Sequence, residues 1–435
     1  MNVTQITDIL TGKNVSEYYR LFRETQWYDE GQMKAFQLEK LKKLIMHSYN
    51  HVPFYRNIMK QQGILPEDVR SIDILKEFPI ITKDIIREQF NDFMPDNIKE
   101  IKGSKTSQTG GTTGGILYAR NDANTRSSIW AAFKRFEDWM GIKPRDRALI
   151  LMGGHVIGKH WKDRLKKTVN LYLRNCVAFS PYDTTDANIN NIIRALKNNQ
   201  FELIRSYSQF LFSLAKRLQD ENLAFDVRAI TTTAEPLMPE HRALFESVFH
   251  AEIFDQYGFG EIGGVAFECS NHNGMHITEE RVIVELNENN EVIVTDLDNF
   301  SLPFIRYWNA DQAIISDETC SCGRKSKLIK KIMGRNCDYI IGLNGEFLHW
   351  AYFWHLLFDS EVAEKRNLKK FQIIQPAKDR LKIRMIANPL TEDEKYLLVS
   401  NIQSRAGMLN IDFSFENEIE NAASGKYRAV INHLL

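Results

Sequence analysis

Seven consecutive residues, Thr109-Gly110-Gly111-Thr112-Thr113-Gly114-Gly115, combine four glycines with three threonines. Glycine lets the backbone turn several N–H groups toward one point, and threonine hydroxyls add donors there, so the run is built to wrap an anion, above all a polyphosphate. It is not a Walker loop, because Ile116 and Leu117 stand where Lys and Ser/Thr should open a helix. Flexible linkers also collect glycine, but paired threonines and β-prone flanks (101–107 and 116–118) set this run apart.

A second glycine cluster runs from Tyr257 to Gly264. Gly258, Gly260 and Gly263 fit G-x-G-x-x-G, and Glu279 and Glu280 come at the distance a dinucleotide site uses for its acid. The residues after Gly263 read as strand, however, so the helix that should face the pyrophosphate is missing. The same cluster also reads as Tyr257 stacking on a base, Gly258 allowing close backbone approach and Glu261 giving an oxygen ligand to Mg²⁺. Thr231-Thr232-Thr233-Ala234-Glu235-Pro236 ends a strand upstream, where α/β proteins place ligand contacts.

A third group is Cys269, His276, Cys320 and Cys322. Three thiols and an imidazole suit tetrahedral Zn²⁺, with His272 as the competing imidazole. Four protein ligands would leave no open position, so the metal would be structural. Reduced core cysteines are the alternative, and Cys176 and Cys337 read as packing. His155 comes after a strand and either borders a substrate pocket or is an ordinary loop histidine.

These groups need a scaffold. Residues 16–95 read as helical, with Leu38, Leu41, Leu44 and Ile45 at helical spacing and Pro66 and Pro79 as breaks. From about 100 to 310, strands at 148–152, 203–207, 227–232 and 252–257 alternate with helices at 210–219 and 239–249, which predicts largely parallel sheet covered by helices. Residues 281–286 and 291–296 read as a hairpin. Beyond about 336 a small α+β unit is expected, with strands at 371–375, 381–386 and 411–415 and a helix at 391–405. The fold class is thus α/β, with a large multi-sheet unit over 1–335 and a small unit over 336–435.

The chain's 435 residues carry 56 basic and 56 acidic side chains. Balanced charge gives no global pull toward nucleic acid or an anionic membrane. The N-terminus lacks a signal-peptide pattern, no run suits a transmembrane helix, and five cysteines argue against a disulfide framework. A cytoplasmic protein is expected. A homodimer is compatible with the sequence.

Taken in order, the threonine/glycine loop, Ala234-Glu235-Pro236, Tyr257-Gly-x-x-Glu261, Pro303-Phe-Ile-Arg-Tyr-Trp-Asn-Ala-Asp311, Gly334-Arg335 and Ser424-Gly-Lys-Tyr-Arg428 resemble the motif series of the adenylate-forming (acyl-CoA synthetase) superfamily. His51-Val-Pro-Phe-Tyr-Arg56, Phe78-Pro-Ile-Ile-Thr-Lys83 and Cys320-Ser-Cys-Gly-Arg324 resemble its phenylacetate–CoA ligase and capsule-biosynthesis (CapK-like) branch. The resemblance spans roughly residues 50 to 430. It implies that ATP and a small carboxylic acid react to an acyl-adenylate, which a thiol, that of coenzyme A foremost, then captures.

By the same resemblance, Thr109, Gly110, Gly111, Thr112, Thr113 and Gly114 hold the β- and γ-phosphates. Ala234, Glu235 and Pro236 line the adenine with Tyr257 and Gly258, Glu261 holds Mg²⁺, Asp311 and Arg335 bind the ribose, Lys426 reaches the α-phosphate, and Asp338 is the hinge. Three positions depart from the pattern: Gly110 and Gly260 replace hydroxyl residues, and Asn309-Ala310-Asp311 replaces Thr-Gly-Asp. Other readings are a carrier protein or a polysaccharide precursor as acceptor, a Rossmann-type NAD-dependent oxidoreductase, and a non-catalytic zinc-stabilised binding protein.

Overall fold

A computed structural model describes residues 14–109, 117–152, 161–181, 183, 185–235, 237–334, 339–358, 365–419 and 429–434. The N-terminal region is helical, as its periodicity requires: α1 (Val15–Thr25), α2 (Glu30–His51), α3 (Pro53–Gln62) and a short α4 (Lys83–Glu88). Asp29 caps α2 by accepting from the Gln32 amide at 2.8 Å, and Met33, Gln37, Leu41, Leu44 and Ile45 form its buried stripe.

The glycine/threonine run joins β1 (Lys105–Thr109) to β2 (Leu117–Asn121), an antiparallel pair with Thr109 opposite Leu117. The first strand begins later than its sequence suggests, because residues 101–103 form a turn. Asp122 then caps α5 (Ala123–Trp139), accepting from the Thr125 amide at 2.9 Å.

Next come β3 (Ala148–Leu151), α6 (Trp161–Leu173), β4 (Cys176–Ala178), α7 (Asp186–Asn198), β5 (Leu203–Tyr207), α8 (Ser208–Asp220), β6 (Ala229–Thr233), α9 (Pro239–Phe249) and β7 (Glu252–Phe259). These strands pair in parallel in the order β7-β6-β5-β3-β4. The expected alternation of strand and helix is present, and Pro239 opens α9, where its missing N–H costs nothing.

At β7 the sheet changes character. Its other edge pairs antiparallel with β8 (Gly263–Glu268), and across the sheet lie in turn β9 (Met275–Ile277), β13 (Leu328–Gly334), β12 (Tyr307–Ser316), β11 (Glu291–Asp296) and β10 (Val282–Leu286), eleven strands in all. The predicted hairpin over 281–296 is the β10–β11 pair.

The C-terminal region supplies a separate pair, β14 (Tyr339–Ile341) with β15 (Phe347–His349), then α10 (Trp350–Phe358) and a four-stranded sheet. That sheet has the order β18 (Asn410–Phe415), β17 (Arg380–Ile386), β16 (Lys370–Ala377), β19 (Val430–Asn432). Its helix α11 (Glu392–Ala406) starts with a capping box at Thr391 and Glu394. Ile340, Leu348, Phe371, Ile373, Leu398 and Ile402 share one buried cluster here. Glu346 ties this region to the larger one, accepting from Ser213 Oγ on α8 at 3.0 Å while pairing with Arg405 at 2.9 Å.

Candidate functional site

The site gathers where the sheet switches from parallel to antiparallel. Thr232 lies opposite Asp255 in the β6–β7 register, so Ala234 and Glu235 leave β6 beside the end of β7, where Tyr257 sits. Ala234 is held at φ 68°, in the left-handed region that side chains rarely adopt. Such backbone is retained where surrounding structure over-determines it, often at ligand sites.

Tyr257 is buried, and its hydroxyl donates to Asp311 Oδ2 at 2.8 Å. Asn309 joins them, giving its Nδ2 hydrogens to the Tyr257 oxygen at 3.0 Å and to Asp311 at 2.5 Å, while its Oδ1 accepts the Asp311 amide at 3.1 Å. Ala310 between them has φ 70°. The replacement of Thr-Gly-Asp thus puts a side chain into glycine-favouring backbone but keeps the aspartate fixed by the tyrosine.

Glu261 lies in the turn between β7 and β8 and is buried. Lys83 pairs with its Oε1 at 2.7 Å, and the Tyr307 hydroxyl donates to the same oxygen at 3.3 Å. The chain reaches this contact through a short bridge: the Ile81 amide donates to Arg306 O, and the Trp308 amide donates to Ile81 O, each at 2.9 Å. Thr82 then caps α4, placing Lys83 at its first position. Arg306 anchors the approach by pairing with Glu285 at 3.1 Å and donating to Phe78 O at 2.7 Å. The Tyr55 hydroxyl bridges Pro303 O and the Ile305 amide, so the 51–56 motif braces the 303–311 motif.

The turn is also clamped from behind. The fully buried Arg281 donates to Ile262 O at 3.1 Å, Gly264 O at 3.0 Å and Ser128 Oγ at 3.0 Å. Nothing local in the sequence marks Lys83, Arg281 or Tyr307 as site residues, although Lys83 and Tyr307 stand inside motifs that are legible there.

The glycine pattern finds a different explanation from dinucleotide binding. Gly258 lies opposite Gly264 in an antiparallel hairpin, and a Cβ at 258 would collide with the Gly263 carbonyl. The close approach that demands glycine is therefore to the chain's own backbone. The next element is β8 rather than a helix, and Glu280 is buried against Arg135 and Thr25 rather than offered to a ribose. The Rossmann oxidoreductase reading is withdrawn on this geometry.

Cys269, His276, Cys320 and Cys322 converge, with their ligand atoms all within 4.8 Å of one another. Cys269 comes directly after β8, His276 lies in β9, and the other two cysteines occupy the β12–β13 connection. The Cys269–Cys320 sulfur separation is 3.7 Å, and Cys322 Sγ lies 3.3 Å from His276 Nε2. Zn–S bonds of about 2.3 Å at tetrahedral angles put sulfurs about 3.8 Å apart, so this cradle fits Zn²⁺. His276 Nδ1 meets Ser326 Oγ at 2.9 Å, the outer contact that orients a ligating imidazole. Burial pushes the His276 imidazole down to about 4, which keeps it neutral as a ligand must be. The competing His272 faces Glu252 at 3.0 Å and Glu268 at 3.4 Å and stands outside the cluster.

Thr109 ends β1. Gly110, Gly111, Thr112, Thr113, Gly114, His155, Pro236, Arg335, Asp338 and Lys426 lie outside the described residues.

Known proteins share this sequence pattern and this fold. The CapK C-terminal domain model matches residues 356–433. Phenylacetate-coenzyme A ligase of Escherichia coli is 26% identical over 377 residues, covering 81% of this chain and 79% of the relative. Protein CapK of Staphylococcus aureus is 24% identical over 415 residues, covering 89% and 87%. A crystal structure of 2-hydroxyisobutyryl-CoA ligase in complex with 2-HIB-AMP and CoA matches with a TM-score of 0.65 at 17% identity, over 94% of this chain and 92% of that one. In sequence the chain is thus similar to the adenylate-forming ligases, with phenylacetate–CoA ligases and CapK as homologues at 24–26% identity, and it shares the fold of a CoA ligase of that kind.

Proposed function

We propose that the protein activates a small carboxylic acid with ATP and passes the acyl group to the thiol of coenzyme A. A carboxylate oxygen attacks the α-phosphorus, pyrophosphate departs with the electrons of the broken P–O bond, and an acyl-adenylate remains. The thiol, losing its proton, then attacks the acyl carbon, and AMP leaves. The observation that carries this reading is the joint placement of Lys83–Glu261 and Tyr257–Asp311 at the sheet junction, where open α/β sheets bind ligands.

In this reading Tyr257 offers a face to adenine while its hydroxyl orients Asp311 to accept from the ribose hydroxyls. The transition state gathers negative charge around the α-phosphate, and a fixed cation in a water-poor site stabilises it without reorganisation. Lys426 is proposed for that role, Thr109–Gly114 for the polyphosphate and Arg335 for the ribose. Residues 336–435 are proposed as a small domain turning about Asp338 between the two half-reactions.

Glu261 has the donor chemistry a hard divalent cation takes: a buried carboxylate with two oxygens, held in place by Lys83 and Tyr307 at Oε1. Glu261 would hold Mg²⁺, which supplies charge neutralisation to the phosphates. Cys269, His276, Cys320 and Cys322 would hold structural Zn²⁺, pinning the β8–β9 and β12–β13 connections together.

Incubation with ATP, Mg²⁺ and a panel of carboxylic acids tests the reading. Acid-dependent release of pyrophosphate and AMP, with acyl-CoA formed when coenzyme A is added, is the expected result. ATP turnover to ADP, or none with any acid, would exclude it.

A further inference from the structure

The chain carries no net charge, yet α6 does. Between Trp161 and Arg174 the sequence holds five cationic residues, Lys162, Arg164, Lys166, Lys167 and Arg174, against the single acid Asp163. The same helix exposes an apolar stripe. Leu165 is 57% exposed, Val169 48%, Tyr172 83% and Leu173 63%. At 3.6 residues per turn these four positions fall within an arc of about 100°. The same register puts position 166 at one edge of that arc and 162 within it near the start of the helix, while 164 lies about 80° beyond the other edge and 167 on the opposite face.

The Arg174 guanidinium lies 5.0 Å from the ring centre of Trp130, itself 39% exposed, so an aromatic with a polar edge and a cation stand together at the helix end. Scattered exposed apolar residues are ordinary, but four aligned on one strongly cationic helix are not. An amphipathic helix of this composition lies in the plane of an anionic bilayer, apolar face toward the acyl chains and cations against the phosphates. Neither half of the pattern is explained by the proposed adenylation site, whose described residues lie on other elements.

We propose that α6 docks the protein reversibly on an anionic lipid surface. The match is one of complementary charge and polarity: headgroup phosphates answer the cations, and the headgroup–acyl boundary covers Leu165, Val169, Tyr172 and Leu173. No helix among the described residues is long and apolar enough to span a bilayer, so the attachment is peripheral.

Co-sedimentation of the full chain with phosphatidylcholine vesicles, with and without phosphatidylglycerol, tests this. Binding to the anionic vesicles alone is expected, weakening as salt screens the charges. Paired Lys162→Glu and Lys166→Glu changes should weaken it by about ten-fold or more, and so should Leu165→Asn with Tyr172→Asn. The thermal melt should be unchanged in both variants. No vesicle binding, equal binding to neutral vesicles, or an undiminished response in both variants would overturn the proposal. So would light scattering that shows a homodimer broken by Tyr172→Asn in a protein that ignores vesicles.

Discussion

Lys83 Nζ lies 2.7 Å from Glu261 Oε1, joining the first turn of a short N-terminal helix to the turn between β7 and β8 across more than 170 residues of chain. Both side chains are nearly excluded from water, at 11% and 3% exposure. A buried charge pair of this kind loses heavily when one partner is removed, because the other is left buried without its counter-ion. It also fixes the carboxylate proposed to face the phosphates.

Lys83→Met is expected to lower the melting temperature and to cut the rate of acid-dependent pyrophosphate release by about 10²-fold. Lys83→Arg should recover much of both, since it restores a cation on a stem of similar length. Assays run well below the melting temperature separate the two effects. A full rate in folded Lys83→Met would make the pair a brace without a part in chemistry.

Tyr257→Phe removes one hydroxyl and two hydrogen bonds, to Asp311 and from Asn309. A hydrogen bond to a charged acceptor contributes about 1.5–3 kcal/mol, so the KM for ATP should rise about ten-fold or more while kcat changes little. An unchanged KM would place Asp311 away from the nucleotide.

The Cys269–His276–Cys320–Cys322 cradle should carry about one zinc per chain, read by metal analysis of the purified protein. Cys320→Ser or Cys322→Ser should lose the metal and lower the melting temperature. The KM for ATP should stay the same in whatever protein remains folded, because four protein ligands leave no position open to substrate. Metal-free protein of undiminished stability would contradict the assignment.

Burial, with Glu268 as the next contributor, pushes the Asp255 carboxyl from 3.8 up to about 7. The folded chain therefore keeps a proton that the unfolded chain gives up near pH 4. Between about pH 4 and 7 the folded state binds more protons, so this group's contribution to stability is full below that window and lost as pH rises through it. Asp255→Asn retains an oxygen for the Thr232 hydroxyl and the Gln256 amide and removes the titration. Melts from pH 5 to 8 should show the variant gaining on the wild type as pH rises. A constant gap would show that Asp255 does not titrate in this range.

Local signals carried much of the fold. The β10–β11 hairpin, α9 with its first-turn proline, and the 371–415 strands and helix all arise from periodicity and turn residues close in sequence. The metal cradle was legible because cysteine and histidine announce themselves. His276 rather than its competitor His272 completes it, as expected, and what settles the choice is remote in sequence: β9 lies opposite β13, with His276 facing Leu328. Lys83 and Arg281 escaped for the same reason: their partners are remote in sequence, and neither lysine nor arginine marks its pairing locally. Gly258 and Gly263 misled in the other direction, since a β-hairpin with tight backbone approach can satisfy the same spacing as a phosphate loop.

The central claim is that this sheet junction activates an acid through its adenylate. Mass spectrometry of a single turnover, with enzyme in excess over ATP and a metabolite pool supplying the acids, addresses it most directly. A new species with the combined mass of AMP and one acid less water is expected, formed with equimolar pyrophosphate and discharged when coenzyme A is added. ATP left intact, or converted to ADP and phosphate whatever acid is present, would contradict it.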